Sequence, residues 1–100
     1  MILYNTTFVY DRELHKEVSQ WIRETWLPGA IAAGMELPLC ASIPPGDDCS
    51  MSVAVQGRFV NDGDAEAWHD TGGVDGLKAM YLKYGERVLA FSTLMEVFEP

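Results

Sequence analysis

The side chains best suited to proton transfer or metal binding are the two histidines, His15 and His69. Each has acidic neighbours, with Glu17 close to His15, and Glu66 and Asp70 close to His69. A zinc site needs three or four converging ligands, and neither local spacing places two histidines on one helix face. We therefore predict no metal site and no cofactor. His15 and His69 remain proton-transfer candidates if the protein is an enzyme.

Two short motifs resemble known functional sites but lack residues that the chemistry of those sites requires. Asp70-Thr71-Gly72 spells the core of an aspartic-protease motif, but that reaction needs two carboxylates that share one proton. The acidic run that begins at Asp62 resembles a calcium loop. Its sixth and twelfth positions are Ala67 and Gly73, where such a loop needs Gly and Glu. The chain also has no Gly-rich phosphate loop and no nucleophile elbow.

The cysteines and the first residues indicate a cellular compartment. Cys40 and Cys49 flank a turn-rich segment, residues 44–48, and two cysteines are too few for a secreted disulfide framework. The start lacks the basic and apolar regions of a signal peptide, and no apolar run approaches the ~20 residues of a membrane span. We expect a cytoplasmic protein with two free thiols and no membrane partner.

Composition limits the remaining possibilities. The chain has 100 residues, with 7 Lys+Arg against 15 Asp+Glu, and a formal net charge of −8. Nucleic-acid binding needs clustered Lys and Arg to neutralise phosphates, so we exclude it. The hydrophobic share of 48% excludes disorder. The length predicts a single domain over residues 1–100.

The first half of the chain alternates strand, helix and strand. Residues 1–9 favour a strand because they are rich in β-branched and aromatic side chains. Asp11 is placed to cap a helix whose apolar stripe includes Trp21 and stops near Pro28. Residues 36–43 then form a strand, and Pro38 places it at a sheet edge.

The second half repeats the pattern. Alternating apolar and polar residues predict a strand over residues 50–60, and the turn that starts at Asn61 supplies helix caps. We expect a short helix over residues 65–70, broken by Gly72 and Gly73, and a second helical piece that ends at Gly85. Residues 88–98 form the last strand.

This order predicts an α+β fold of the ferredoxin-like βαββαβ type. Right-handed crossovers place both helices on one face of a four-stranded antiparallel sheet, with strands one and three at its centre. The opposite sheet face, which we call the open face, has no element left to cover it. Such a face favours dimerisation through the sheet.

The candidate ligand or interface residues follow from this open face. We expect it to carry the polar side of strand three and, in strand four, the set that contains Ser92, Leu94 and Glu96, with Arg58 paired to Glu96 across a dimer. Trp26 falls off the helical stripe and is placed to rim a pocket. The full set of candidates is Asn5, Thr7, Trp26, Gln56, Arg58, Ser92 and Glu96.

Three segments resemble a known family. Tyr4-Asn5-Thr6-Thr7-Phe8, Trp26-Leu27-Pro28 and Thr93-Leu94-Met95-Glu96-Val97 are similar, in order and spacing, to short bacterial proteins of the DUF4286 type, a domain of unknown function. The resemblance spans the chain and implies a ferredoxin-like fold, with no catalytic residue, cofactor or partner to carry over. The architecture is also similar to dimeric α+β barrels, which include cofactor-independent monooxygenases and small isomerases.

Three functions remain open. The first is a cytoplasmic homodimer that binds or scaffolds without chemistry of its own. The second is a small monooxygenase-like or isomerase-like enzyme with a pocket between sheet and helices, where Asn5, Thr7, Arg58 and Trp26 orient a small substrate. The third is regulatory binding of a small-molecule ligand at the dimer seam. A fold alone does not choose between them.

Overall fold

The computed structural model describes residues 1–44 and 48–100. Its strands are β1 (Ile2–Asp11), β2 (Glu36–Ser42), β3 (Ser50–Phe59) and β4 (Val88–Glu96). They form an antiparallel sheet in the order β2-β3-β1-β4, so the predicted ferredoxin-like arrangement is confirmed. Most of the predicted turn at residues 44–48 lies outside the described residues.

The first helical region is continuous where the sequence predicted an interruption. A 3₁₀ turn (Arg12–Leu14) leads into α1 (His15–Trp21), a π-helical segment (Ile22–Trp26) and α2 (Leu27–Ala32). Pro28 lies in the first turn of α2, where a missing N–H is tolerated. We call residues 15–32 the first long helix.

The π-helical segment explains the spacing of buried residues along the first long helix. The buried side chains recur every four residues, at Leu14, Val18, Ile22, Trp26 and Ala30. Steps of four advance about 40° around an α-helix, and the wider π turn absorbs this drift. Trp26 is consequently 2% exposed, so its predicted place at a pocket rim was wrong.

The second helical region is also continuous. It comprises α3 (Asp62–Trp68), a π-helical segment (His69–Gly73) and α4 (Val74–Tyr84), which we call together the second long helix (residues 62–84). The Asn61 side chain caps its start by accepting hydrogen bonds from the backbone N–H groups of Gly63 (2.8 Å) and Asp64 (3.3 Å). Gly85, with φ of 60°, ends it as predicted.

Gly72 and Gly73 do not break this helix, because they make room for neighbouring aromatic rings. A Cβ at Gly72 would overlap the Trp68 ring, and a Cβ at Gly73 would lie 3.0 Å from the Tyr4 hydroxyl. The Trp68 and Trp26 rings meet edge to face, with centroids 5.2 Å apart. These two glycines therefore allow close packing around Trp68 and against Tyr4 of β1, and they do not terminate the helix.

Asp11 has a different role from the predicted helix cap. Its side chain makes no capping hydrogen bond. Its carboxylate accepts instead from Nε of Arg87 at 2.8 Å, and a second guanidinium nitrogen of Arg87 pairs with Glu13. This exposed ion pair connects the end of β1 to the short 3₁₀ turn (Gly85–Arg87) that precedes β4.

The contact at Gly72 can be tested by mutation. We expect Gly72→Ala to lower the free energy of unfolding by about 1–3 kcal/mol, because the new methyl group overpacks the Trp68 ring. Urea denaturation, monitored by far-UV circular dichroism, measures the decrease in the free energy of unfolding. The control Lys78→Ala changes an exposed position of α4 and should stay within about 0.5 kcal/mol of the parent. Equal stabilities of the two variants would contradict the packing argument.

Candidate functional site

The open face consists of residues that lie opposite each other in the strand register, because directly paired residues of an antiparallel sheet point to the same side. Leu3, Asn5, Thr7 and Val9 form its central row on β1. Asn5 lies between Gln56 on β3 and Thr93 on β4, and Thr7 lies between Ala54 and Phe91. None of the described helices packs on this side of the sheet.

Strand β4 presents its larger apolar side chains to this open face. Leu89 and Phe91 are each 57% exposed and Met95 is 40% exposed, while Val88 is buried on the helix side. The sequence-based prediction was the reverse, because it placed the set that contains Ser92, Leu94 and Glu96 on the open face. Both alternations of β4 are apolar, and hydrophobicity alone therefore selected the wrong inner face.

Ser92 and Glu96 therefore lie on the helix side of the sheet. Ser92 lies opposite Thr6, with their hydroxyls 2.7 Å apart, and Glu96 lies opposite Ile2. Both had been expected on the open face, and Arg58 cannot meet Glu96 there. The residue directly opposite Arg58 is Glu36 of β2.

The remaining polar candidates lie together on the open face. Asn5 donates a hydrogen bond from Nδ2 to the Thr7 hydroxyl at 3.1 Å, and Gln56 is the direct neighbour of Asn5 on β3. Arg58 lies farther along β3, beside Leu3. These four residues form a polar strip on the open face, which carries apolar side chains on β4 and further polar residues such as Thr93. Their role at an interface or in ligand binding stays a prediction.

The helix side of β1 carries two tyrosine–histidine pairs that sequence reasoning missed. The Tyr4 hydroxyl lies 2.9 Å from Nδ1 of His69, and the Tyr10 hydroxyl lies 2.7 Å from Nδ1 of His15. Each pair connects the central strand to one long helix. The even numbering of Tyr4, Thr6, Phe8 and Tyr10 on one strand face was the available signal.

Burial changes the acid–base properties of both tyrosines. It raises the pKa of Tyr10. It also raises the pKa of Tyr4, where a hydrogen bond with Ser92 opposes the effect and the charge of Asp70 adds to it. Removing a phenolate from water is unfavourable, and both rings therefore stay neutral at physiological pH.

The predicted enzyme residues do not converge on one pocket. Asn5, Thr7 and Arg58 lie on the open face, whereas His15 and His69 contact tyrosines on the helix side. Those tyrosines are six residues apart on β1, which is about 20 Å along a strand. A substrate held by the first group cannot reach either imidazole through the sheet.

A groove of about 320 Å³ opens between the first long helix and the edge formed by β2 and β3. His15, Ser19 and Arg23 line one side, and Cys40 and Ser42 line the other. Burial raises the pKa of Cys40, and the charge of Arg23 partly opposes this. The i, i+4, i+8 spacing of His15, Ser19 and Arg23 indicated only that these three residues share one helix face.

Both cysteines are exposed. Cys40 lies opposite Val55 on β3, and Cys49 directly precedes the first residue of β3. Six residues of strand separate these positions, or about 20 Å. A disulfide needs Cα atoms about 4.4–6.8 Å apart, so this register is incompatible with a Cys40–Cys49 bond.

Within 1–44 and 48–100, no group of three His, Cys, Asp or Glu side chains is arranged to hold a metal ion. None of the helices in this part of the chain has the length and apolar character needed to cross a bilayer.

The fold defines a class: a ferredoxin-like α+β domain. One similar solved structure is a proposed antibiotic biosynthesis monooxygenase from Deinococcus radiodurans, with a TM-score of 0.71 at 16% identity, covering 100% of this chain and 95% of that one. Another is a dimeric ferredoxin-like protein from an uncultured marine organism, with a TM-score of 0.67 at 14% identity, covering 99% and 96%.

A third similar structure is HapK from Hahella chejuensis, with a TM-score of 0.64 at 11% identity, covering 100% of this chain and 95% of that one. Identities this low establish the fold alone. A comparison with curated proteins gives no match. The family is nevertheless clear, because residues 1–98 match the model of the Domain of unknown function (DUF4286). The chain belongs to this family.

The buried tyrosines predict how stability depends on pH. Their raised pKa values mean that the unfolded chain loses its phenolic protons at lower pH than the folded protein. The free energy of unfolding should therefore decrease as pH rises above about 10. Urea denaturation from pH 8 to 11 should show a shallower decrease for the double variant Tyr4→Phe/Tyr10→Phe.

The control is Tyr81→Phe, because the Tyr81 ring is 62% exposed on the second long helix. It should retain the slope of the parent protein. Removal of the buried hydroxyls also costs hydrogen bonds, about 1 kcal/mol each, and this loss is present at every pH. The pH slope is the decisive quantity, and an unchanged slope in the double variant would refute the assignment.

Proposed function

We propose that the protein works as a cytoplasmic homodimer, joined through the open faces of two sheets, and that it binds or scaffolds without chemistry of its own. The observation that carries the proposal is the outward orientation of Leu89, Phe91 and Met95 on β4. A strand that turns its larger apolar side chains away from its own core favours a second surface against them.

The energetic argument rests on removing these side chains from water. Burying a large apolar side chain fully contributes about 1.5–3 kcal/mol, and Leu39 of β2 adds a further half-exposed apolar group. Polar groups in the strip formed by Asn5, Thr7, Gln56 and Arg58 would pair across the interface or hold water, as in many protein interfaces.

The charge distribution supports a second copy of the chain as the partner that covers the open face. Each protomer carries a formal net charge of −8, so two copies repel over most of their surfaces. The charged residues that the strand register places on the open face are Arg58 and Glu36, which lie opposite each other, and Asp11, whose carboxylate is paired with Arg87. Two open faces can therefore meet without bringing excess negative charge together.

The size of the face is of the same order as that of a standard dimer interface. Four strands about 4.8 Å apart, with about nine residues at about 3.3 Å each, give a surface about 19 Å by 30 Å. Protruding side chains raise the accessible area above this projection. A standard interface buries about 800 Å² on each partner, and a two-fold axis through the sheet makes the same patch serve both protomers.

The enzyme alternative receives less support from the geometry. Its substrate-orienting residues and its proton-transfer residues lie on opposite sides of the sheet, and Trp26 is buried between the long helices. The likeness to a proposed monooxygenase extends to the fold only. A small-molecule ligand at the dimer seam remains compatible with the polar strip of the open face.

Sedimentation velocity tests the proposed dimer. We expect the parent protein to sediment as a dimer at micromolar concentration. Phe91→Glu should shift it to a monomer, because each two-fold interface would then bury two unpaired carboxylates. Circular dichroism should show unchanged secondary structure, since Phe91 is not part of the core.

The matched control is Leu82→Glu, which introduces the same charge at a leucine that is 84% exposed on α4, on the helix side of the sheet. It should leave the dimer intact. A parent protein that sediments as a monomer at micromolar concentration, or equal dissociation by both variants, would reject the open face as the interface.

A further inference from the structure

The groove between the first long helix and β2 differs in charge from the acidic surface around it. Arg23 and His15 line it, and none of the described residues in its lining is a carboxylate, although Asp and Glu outnumber Lys and Arg in the chain by 15 to 7. A larger groove between the two long helices shows the contrast, since its lining includes Glu17 and Glu24.

The groove combines an apolar floor with polar walls. Ile22 and Val53 belong to the buried core and form part of its lining together with Met51. Hydroxyl groups of Ser19 and Ser42 stand on its two sides. Ligand sites in proteins typically show this composition, with apolar walls and a few polar groups that fix orientation.

The contact between Tyr10 and His15 defines which groups the groove offers to a ligand. The Tyr10 hydroxyl lies 2.7 Å from Nδ1 of His15, and the two rings stack within 9° of parallel. Where the Tyr10 hydroxyl donates to Nδ1, the neutral His15 ring carries its proton on Nε2. His15 and Arg23 then both act as hydrogen-bond donors.

We propose that this groove, which we call the Arg23 groove, binds a small organic carboxylate with a flat apolar body. The carboxylate accepts hydrogen bonds from the Arg23 guanidinium, whose planar fork matches its geometry, and from Nε2 of His15. The apolar body lies against Ile22, Met51 and Val53. A volume of about 320 Å³ accommodates one or two aromatic rings, at the lower end of known ligand pockets.

The test uses 2-naphthoate as the probe and 2-naphthylmethanol as its uncharged counterpart. Isothermal titration calorimetry and backbone amide shifts in ¹⁵N spectra measure affinity and location. We expect 2-naphthoate to bind at least tenfold more tightly than the alcohol, with shifts at Ser19, Arg23 and Cys40. Arg23→Gln should lower the affinity for 2-naphthoate at least tenfold and leave the affinity for 2-naphthylmethanol unchanged.

Lys16→Gln is the matched control, because it removes an exposed cation from the same helix outside the groove lining. It should keep the affinity of the parent within twofold. Ser19→Leu provides a second variant, in which the larger side chain fills the groove while Arg23 stays in place. This variant should bind both probes more weakly than the parent protein does. Equal effects of Arg23→Gln and Lys16→Gln, equal binding of the two probes, or shifts confined to the open face would overturn the proposal.

Discussion

The edge-to-face contact between Trp26 and Trp68 determines how the two long helices sit on the sheet. It brings the π-helical segments of both helices together, one ending at Trp26 and the other starting directly after Trp68. Small residues surround the pair, since a Cβ at Gly29 would lie 3.1 Å from the Trp68 ring and one at Gly76 would lie 2.7 Å from the Trp26 ring. The close approach of the helices thus requires both the large rings and the glycines.

With the helices fixed in this way, β1 becomes the strand to which both are attached. Phe8 packs edge to face on Trp26, with centroids 5.7 Å apart, and the hydroxyls of Tyr4 and Tyr10 contact one histidine from each long helix. The inner side of the sheet is therefore filled by the chain's own side chains. No described element covers the other side of β1 and its neighbours, and the proposed assembly depends on that asymmetry.

The element order and the sheet topology could be predicted from the sequence, because alternation in β3 and the helical stripe that begins at Leu14 are unambiguous patterns. The orientation of β4 could not, since Leu89 and Phe91 compete with Val88 and Leu94 for the core and hydrophobicity does not separate the two sets. Trp26 and Gly72 were misplaced because a π-helical segment changes helical phase, and a phase change follows from tertiary packing. The Arg23 groove depends on residues from three elements, which sequence spacing alone does not bring together.

The separation of charge from the open face connects the proposed assembly to the ionic strength of its surroundings. The protein measures 38 × 30 × 19 Å, and the screening length is about 30 Å in 0.01 M salt but about 8 Å at 0.15 M. In dilute salt each copy experiences the whole negative field of the other before the neutral faces touch. At cellular salt the field decays within a fraction of the molecular diameter. Encounter between two copies is then governed by the neutral surface, and the acidity that keeps the molecules apart elsewhere has little effect on it.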